Sequence, residues 1–544
     1  MTPVLLIVLD GWGIAPRGPG NAIYRSNLPF YNSLMTKFPH GTLTASGEAV
    51  GLPKGEDGNT ETGHINLGAG YIVYQDLPRI NLSIADGSFF RNQAFIQAID
   101  HARKYESNIH LLGLIGSGGV HSNTEHLLAL LQLMKEHNFK RVYLHLFTDG
   151  RDSPPKSALL YVKNLQSYLD SLEVGTIATV IGRYFAMDRD HRWERTKRAY
   201  EALTHSVGNR AKTVEDAISI SYDKGITDEF IEPTVLVKNN QAIAQIKAND
   251  SVIFFNYRVD RPRQLTKAFV LENFEKDGNI VDFDPYLVKY FKKHEAQLSQ
   301  LSSPFARGPR MPHLYFVTMT EYSRFVHASA VAFPPHIVAH PLGECIAEMG
   351  LSQLHMAESE KERFVTYYFN GQREAPFAGQ ETVIVPSPKV ATYDLSPSMS
   401  SVDLTDTLLH LIDKKLYDFT LVNFACPDMV AHTGNIEATI VACETVDTCL
   451  SRIVPQILNM EGIVCITGDH GNAEELIDPL TGGIDTEHST FPVPFLVLAK
   501  KWEGKPVELS PGVLADVAPT ILSIMDIKKP SSMTGRNLLE NSLD

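Results

Sequence analysis

Short apolar runs that stop at a charged or metal-capable residue constrain this chain more than any other feature. VLLIVLD ends at Asp10, and IVCITGDH ends at Asp469 and His470. FTLVNF runs into CPDMVAH, which holds Asp428 and His432. Apolar runs of about four to eight residues bounded by turn signals read as buried strands. In open α/β sheets, ligands collect beyond the carboxyl ends of such strands. Further strand candidates are Ile109–Leu114, Arg141–Phe147, Thr176–Ile181, Val252–Asn256 and Pro494–Ala499. Between strands lie segments of helical period, among them Asn123–Glu136, Lys156–Leu172, Arg192–Thr204 and Glu437–Leu458. The alternation predicts an α/β chain of parallel sheets covered by helices. Asp10 sits at the far end of the chain from Asp428 and Asp469, yet shares their setting. One sheet edge can hold all three if the first segment folds with the last and the middle is an insertion.

With 544 residues, the chain exceeds one ordinary domain. Its 43% hydrophobic and 21% charged residues are those of a soluble globular protein. The net charge of −14 argues against nucleic acid or an anionic membrane as partner. Five cysteines, Cys345, Cys426, Cys443, Cys449 and Cys465, form no C-x-x-C pair, so a reducing cytoplasm is the expected location. The run Val4–Leu9 is short and ends at Asp10, which suits a buried strand better than an export signal. No apolar stretch approaches the roughly 20 residues of a membrane span. The stretch 282–312, irregular in its second half, reads as a surface excursion near a domain junction.

Asp428 and His432 are four apart and share one face of a helix, with Pro427 suited to its first turn. Asp469 and His470 precede Gly471 and Asn472, a sharp turn able to present both side chains. His488 follows in DTEHSTFPVPF, before another apolar strand. A lone histidine is ordinarily a surface or satisfied core residue. Here three Asp and three His form a mixed oxygen and nitrogen set, enough for two divalent ions. Such donors suit Mn²⁺, Zn²⁺ or Co²⁺ better than Mg²⁺. Two such ions can clamp the attacking and leaving oxygens of a phosphoryl transfer.

Longer motifs narrow the reading. They are LDGWG, ASGEAVGLP, GNTETGHINLGAG, GSGGVHS, TDGRDSPP, GRYFAMDRDHRWER, FFNYRVDRPRQ, AESEK, NFACPDMVAHTG and GDHGNAEE, in that order along the whole chain. On these motifs the chain resembles the cofactor-independent phosphoglycerate mutases, metalloenzymes of the alkaline phosphatase superfamily. The resemblance implies two domains. Residues 1–75 and 335–544 would form a discontinuous phosphatase-like, metal-binding domain with a parallel sheet, and residues 76–334 an inserted α/β transferase domain that binds substrate. It implies one ion held by Asp428, His432 and His488, and another held by Asp10, Asp469, His470 and the hydroxyl of Thr60. Mn²⁺ is the expected metal, with Co²⁺ or Zn²⁺ as substitutes, and no bisphosphoglycerate is required. A monomer is the family expectation.

Thr60 stands where the family usually has serine. It keeps a hydroxyl for attack on phosphorus, and its methyl restricts χ1. It also reads as a helix N-cap with Glu61 behind it, and a helix N-terminus would favour the phosphorylated state. Two flanking departures are Cys426, for a usual asparagine, and Asn123, for a common histidine. Phosphoglycerate carries two acceptor-rich anionic groups that match arginine's planar fork. By resemblance Arg151, Arg183, Arg189, Arg258 and Arg261 hold the glycerate, helped by His121. Asp152 handles the hydroxyl proton as base and acid, and Lys361 meets the phosphate. GSGGVH lacks the P-loop pattern and is not read as a nucleotide site.

The reaction so implied is the interconversion of 3- and 2-phosphoglycerate through a phosphothreonine. A phosphatase or another phosphomutase of the same superfamily is the alternative. The arginine-bearing motifs of the middle segment argue against it, since the shared phosphatase core does not supply them. A non-enzymatic, metal-binding scaffold would be more credible had ligands or arginines been lost.

Overall fold

The computed structural model describes residues 2–280, 302–415 and 417–540. Most of the excursion expected over 282–312 lies outside the described residues. The chain forms two compact units, one of residues 1–78 with 336–544 and one of residues 79–335.

The first unit is built on an eight-stranded sheet. Its order is Gln380–Val385, Gln353–Glu358, Phe419–Phe424, Val4–Leu9, Ile463–Gly468, Val493–Leu498, His40–Thr44 and Gly512–Val513. The first five strands run parallel, and Val493–Leu498 is antiparallel to both neighbours. Every residue of VLLIVL is buried, as a strand covered on both faces requires. The pleat sends Leu5, Ile7 and Leu9 to one apolar cluster and Val4, Leu6 and Val8 to the other. Each such side chain contributes about 1.5–3 kcal/mol when fully buried, so the register of this central strand is strongly fixed. Leu9 pairs with Phe424 on one side and Gly468 on the other. Asp10 therefore leaves the sheet level with Ala425 and Asp469.

The second unit holds nine strands in one sheet. The main path is Ala330–Phe333, Tyr315–Thr320, Ser251–Phe254, Ile109–Ile115, Val142–Thr148, Thr176–Gly182, Thr234–Lys238 and Asn209–Ala211. It is parallel except where Thr234–Lys238 meets Thr176–Gly182 and the short Gln241–Ala242. Helices Thr124–Glu136, Ala158–Leu172 and Trp193–His205 fall where their apolar periodicity predicts. The strands Gln353–Glu358 and Gln380–Val385 are not among the expected ones. Their sequences, QLHMAE and QETVIV, interleave polar residues that break the apolar run.

Candidate functional site

In the first unit four neighbouring parallel strands end together. Val4–Leu9 delivers Asp10, Phe419–Phe424 leads to Asp428, Ile463–Gly468 leads to Asp469 and His470, and Gln353–Glu358 leads to Lys361. Pro427 opens the short helix Cys426–Ala431, whose C-cap is His432. Gly11 has φ +70, and a Cβ there would lie 2.8 Å from the Asp428 Cβ, so only glycine lets these two strand ends approach. Thr60 is the first residue of helix Thr60–Ala69. The expectation that Thr60 caps this helix is corrected: Asn59 is the cap, its side chain accepting from the Thr62 amide. The Asn59 side chain therefore does the capping, and the Thr60 hydroxyl is free to face the strand ends.

That hydroxyl lies 2.9 Å from His470 Nε2 and accepts from Lys361 Nζ at 3.1 Å. Lys361 also donates to Asp10 Oδ1 at 2.6 Å and Asp428 Oδ2 at 2.7 Å. Burial alone would depress the lysine, but Asp10, Asp428 and Asp469 raise its pKa above the ordinary value. Three carboxylates thus converge on one ammonium. Burial also works against charge on His470, yet Asp469, Asp10 and Asp428 outweigh it and push its pKa up to about 10. Excess negative charge in a buried place draws a proton onto the nearest base.

The donor set fits divalent cations. Donor atoms of Asp10, Asp469 and His470 lie within 4.8 Å of one another, as do those of Asp428, His470 and His488. His470 Nε2 is nearer to Asp10 and Asp469, at 3.5 Å each, than to Asp428 at 4.0 Å. His432 Nε2 stands 3.3 Å from Asp428 Oδ1 and 3.1 Å from His488 Nε2, which is itself 3.4 Å from that carboxylate oxygen. Each imidazole turns Nδ1 to a backbone carbonyl: His432 to Thr486, His488 to Gly58 and His470 to Gly471. That fixes the tautomer and leaves Nε2 free to ligate a cation. Asp469 Oδ2 is buried, and although His64 Nδ1 stands 3.2 Å away, that nitrogen turns to the Thr60 carbonyl and leaves the oxygen without a hydrogen bond, a state that a bound cation would relieve.

Residues that sequence reasoning missed orient these donors. Asn423 donates to Asp10 and Asn472 to Asp428. His64 lies 3.2 Å from Asp469 Oδ2, and Glu474 accepts from the amides of Gly13 and Asn472. All four sit inside the recognised motifs, and that membership was their only signal. The two flanking departures leave the donors untouched. Cys426 packs in the core against Ser401 and the Ala442 carbonyl, and Asn123 caps helix Thr124–Glu136.

In the second unit the expected anion-binding residues gather at the carboxyl ends of its parallel strands. Arg183, 2% exposed, bonds Asp149 and Asp152 through one nitrogen, while its Nε has no partner. Burial would raise the Asp152 pKa, but Arg183, His121 and Arg151 hold its carboxyl below the usual carboxylate range. His121 Nε2 stands 3.7 Å from Asp152, and its Nδ1 is 3.5 Å from Asp260. Burial pushes the His121 pKa down to about 4. Asp260 also bonds Arg189 at 2.7 Å and lies 3.3 Å from Arg258 Nε. Arg261 donates to the Met187 carbonyl, and Arg151 reaches only to 3.9 Å from Glu229. Burial, then Arg183 and Arg189, lower the Arg261 pKa, the mark of cations crowded without enough counter-charge. Five guanidiniums face four carboxylates, Asp149, Asp152, Asp260 and Glu229. Of these, only Asp152 was anticipated.

The comparisons with known proteins agree with one another. The family model described as the BPG-independent PGAM N-terminus matches residues 80–324. A curated 2,3-bisphosphoglycerate-independent phosphoglycerate mutase of Chloroflexus aurantiacus is 48% identical, covering 99% of this chain and 98% of its own length. The protein so named from Moorella thermoacetica is 46% identical over 99% and 98%. Among solved structures, the phosphoglycerate mutase of Leishmania mexicana, determined at low cobalt concentration, aligns with TM-score 0.57 and 26% identity over 98% of this chain and 97% of that one.

Proposed function

The chain belongs to the 2,3-bisphosphoglycerate-independent phosphoglycerate mutases, and we propose that it carries the phosphoryl group on Thr60 while the guanidiniums of the second unit keep the glycerate. It is an enzyme that interconverts 3-phosphoglycerate and 2-phosphoglycerate. The observation that carries the nucleophile assignment is the Thr60 hydroxyl, within hydrogen-bond reach of both Lys361 and His470.

Asp428, His432 and His488 would hold one divalent ion, and Asp10, Asp469, His470 and Thr60 another. Mn²⁺ is our choice, with Co²⁺ or Zn²⁺ able to satisfy the same oxygen and nitrogen donors. When bound, such ions neutralise phosphate charge and favour the ionised threonine hydroxyl. Thr60 then attacks phosphorus, and the bond to the glycerate oxygen breaks. The first turn of helix Thr60–Ala69 points amide groups toward the phosphothreonine and favours its negative charge. Lys361 supplies a fixed ammonium beside the same oxygen. Arg151, Arg183, Arg189, Arg258 and Arg261, with His121, hold the freed glycerate. Over the whole reaction one proton moves from the 2-hydroxyl to the 3-oxygen. Asp152, ionised at rest, is suited to accept it from the one and return it to the other. The second glycerate oxygen attacks the phosphothreonine and Thr60 is regenerated.

Among the described residues no helix is long and apolar enough to cross a membrane. With all five cysteines free and buried, a reducing cytoplasm is the compartment we propose, with the protein acting as a monomer. Phosphorus NMR of the Mn²⁺-loaded protein with 3-phosphoglycerate, without bisphosphoglycerate, tests the assignment. A growing 2-phosphoglycerate signal is expected. Inorganic phosphate alone would favour the hydrolase alternative.

A further inference from the structure

The second unit has a cavity that the reaction does not use. It lies where the strands begin, whereas the arginine cluster lies where they end. Asn108 just precedes Ile109–Ile115, and Tyr143 is the second residue of Val142–Thr148. Together with His205, Ser206, Arg210 and Lys247 they line an open cavity of about 430 Å³, within the range that encloses small metabolites. No Asp or Glu lines it.

The cavity is built. Asp250, buried behind its wall, accepts from the amides of Asn108 at 2.9 Å and Lys247 at 2.8 Å, and from His110 at 3.1 Å. Its oxygens are thus spent on fixing the wall. The rim is the hairpin of Thr234–Lys238 with Gln241–Ala242, whose turn residues Asn239 and Asn240 both have positive φ, the pairing that tight hairpins demand. Arg210 donates to the Asn240 carbonyl at 3.3 Å. Among the described residues, neither Arg210 nor Lys247 has a carboxylate within ion-pair distance. The Ser206 hydroxyl is buried with no hydrogen-bond partner, and a buried unsatisfied group calls for a ligand or water.

We propose that this cavity binds a small phosphorylated metabolite bearing hydroxyl groups. Arg210 and Lys247 supply the charge for the phosphate. The neutral amide, hydroxyl and phenol groups around them match a polyol better than an apolar body. The site is separate from glycerate binding and does not rest on the assignment of Thr60.

Calorimetric titration of the full, Mn²⁺-loaded chain with ribose 5-phosphate tests this. The Arg210→Ala, Lys247→Ala double variant should bind at least tenfold more weakly, with kcat and KM for phosphoglycerate unchanged. Arg258→Ala, in the glycerate cluster, should leave ribose 5-phosphate binding as it is. The proposal is overturned if the wild-type chain takes up none at millimolar concentration. It is equally overturned if the double variant binds as tightly as wild type, or if only Arg258→Ala loses the ligand.

Discussion

The two charged clusters of this protein solve opposite problems. In the first unit, Asp10, Asp428 and Asp469 are all but fully buried around Lys361, and negative charge is in excess. In the second unit, guanidiniums outnumber carboxylates, and the side chains of Arg151, Arg189 and Arg258 remain about half exposed. A buried carboxylate cluster is costly unless cations fill it, which suits it to the firm metal binding proposed above. A half-hydrated arginine cluster braced by carboxylates grips an anion and lets it go. On the proposed reading, permanence belongs to the cluster that would carry the phosphoryl group, and exchange to the one that would meet the substrate.

Replacing Thr60 tests that division most severely. Thr60→Ala should lower turnover by about 10⁴-fold or more, as loss of a nucleophile does elsewhere, while Thr60→Ser retains activity. A labelled phosphoprotein from Thr60→Ala would move the covalent step to another residue. Next comes the role of Lys361 as counter-charge. Lys361→Met should destabilise the metal-free protein by about 3–5 kcal/mol, the cost of stranding a buried charge. The loss should be much smaller with Mn²⁺ bound, as thermal unfolding with and without chelator would register. Equal losses in both states would mean the lysine is not standing against the same charge as the metals.

On the arginine side the effects shrink. Arg258→Ala should raise KM about tenfold, since a charge-assisted hydrogen bond is worth about 1.5–3 kcal/mol. Asp260→Asn, which loosens Arg189 and Arg258 without removing them, should raise KM by about threefold, with kcat little changed. Steady-state kinetics decide the order, and a larger effect from Asp260→Asn would show that bracing outweighs contact.

The smallest effects concern protons, and they take opposite signs in the two units. His126 in the second unit has its pKa pushed down to about 4 by burial. Its stabilisation is complete above the unfolded value of about 6.5 and is lost as pH falls toward 4. His126→Gln should therefore blunt the fall in urea midpoint between pH 7 and pH 5. His470, pushed up to about 10 in the metal-free protein, contributes stability that is complete below about 6.5 and lost as pH rises through 10. Loading divalent metal near pH 7 should release about one proton from it, measurable with a weakly buffered indicator dye.

Sequence alone marked the candidate metal donors and determined the central strands. A run such as VLLIVLD has one favourable fate, a strand buried on both faces whose polar end must leave the sheet at its edge. The same logic marked Asp428, Asp469 and His470, and the long motifs added the arginines and Asp152. Only the tertiary structure decided that Asn59 rather than Thr60 caps its helix. It alone showed that Asp149 and Asp260 brace the guanidiniums, and that Asn423, Asn472, His64 and Glu474 orient the ligands. Those roles are set by hydrogen-bond geometry between residues distant in the chain, such as Asn423 and Asp10. Local propensity and hydrophobic period report which face a residue takes, and they are silent about which partner will stand opposite it.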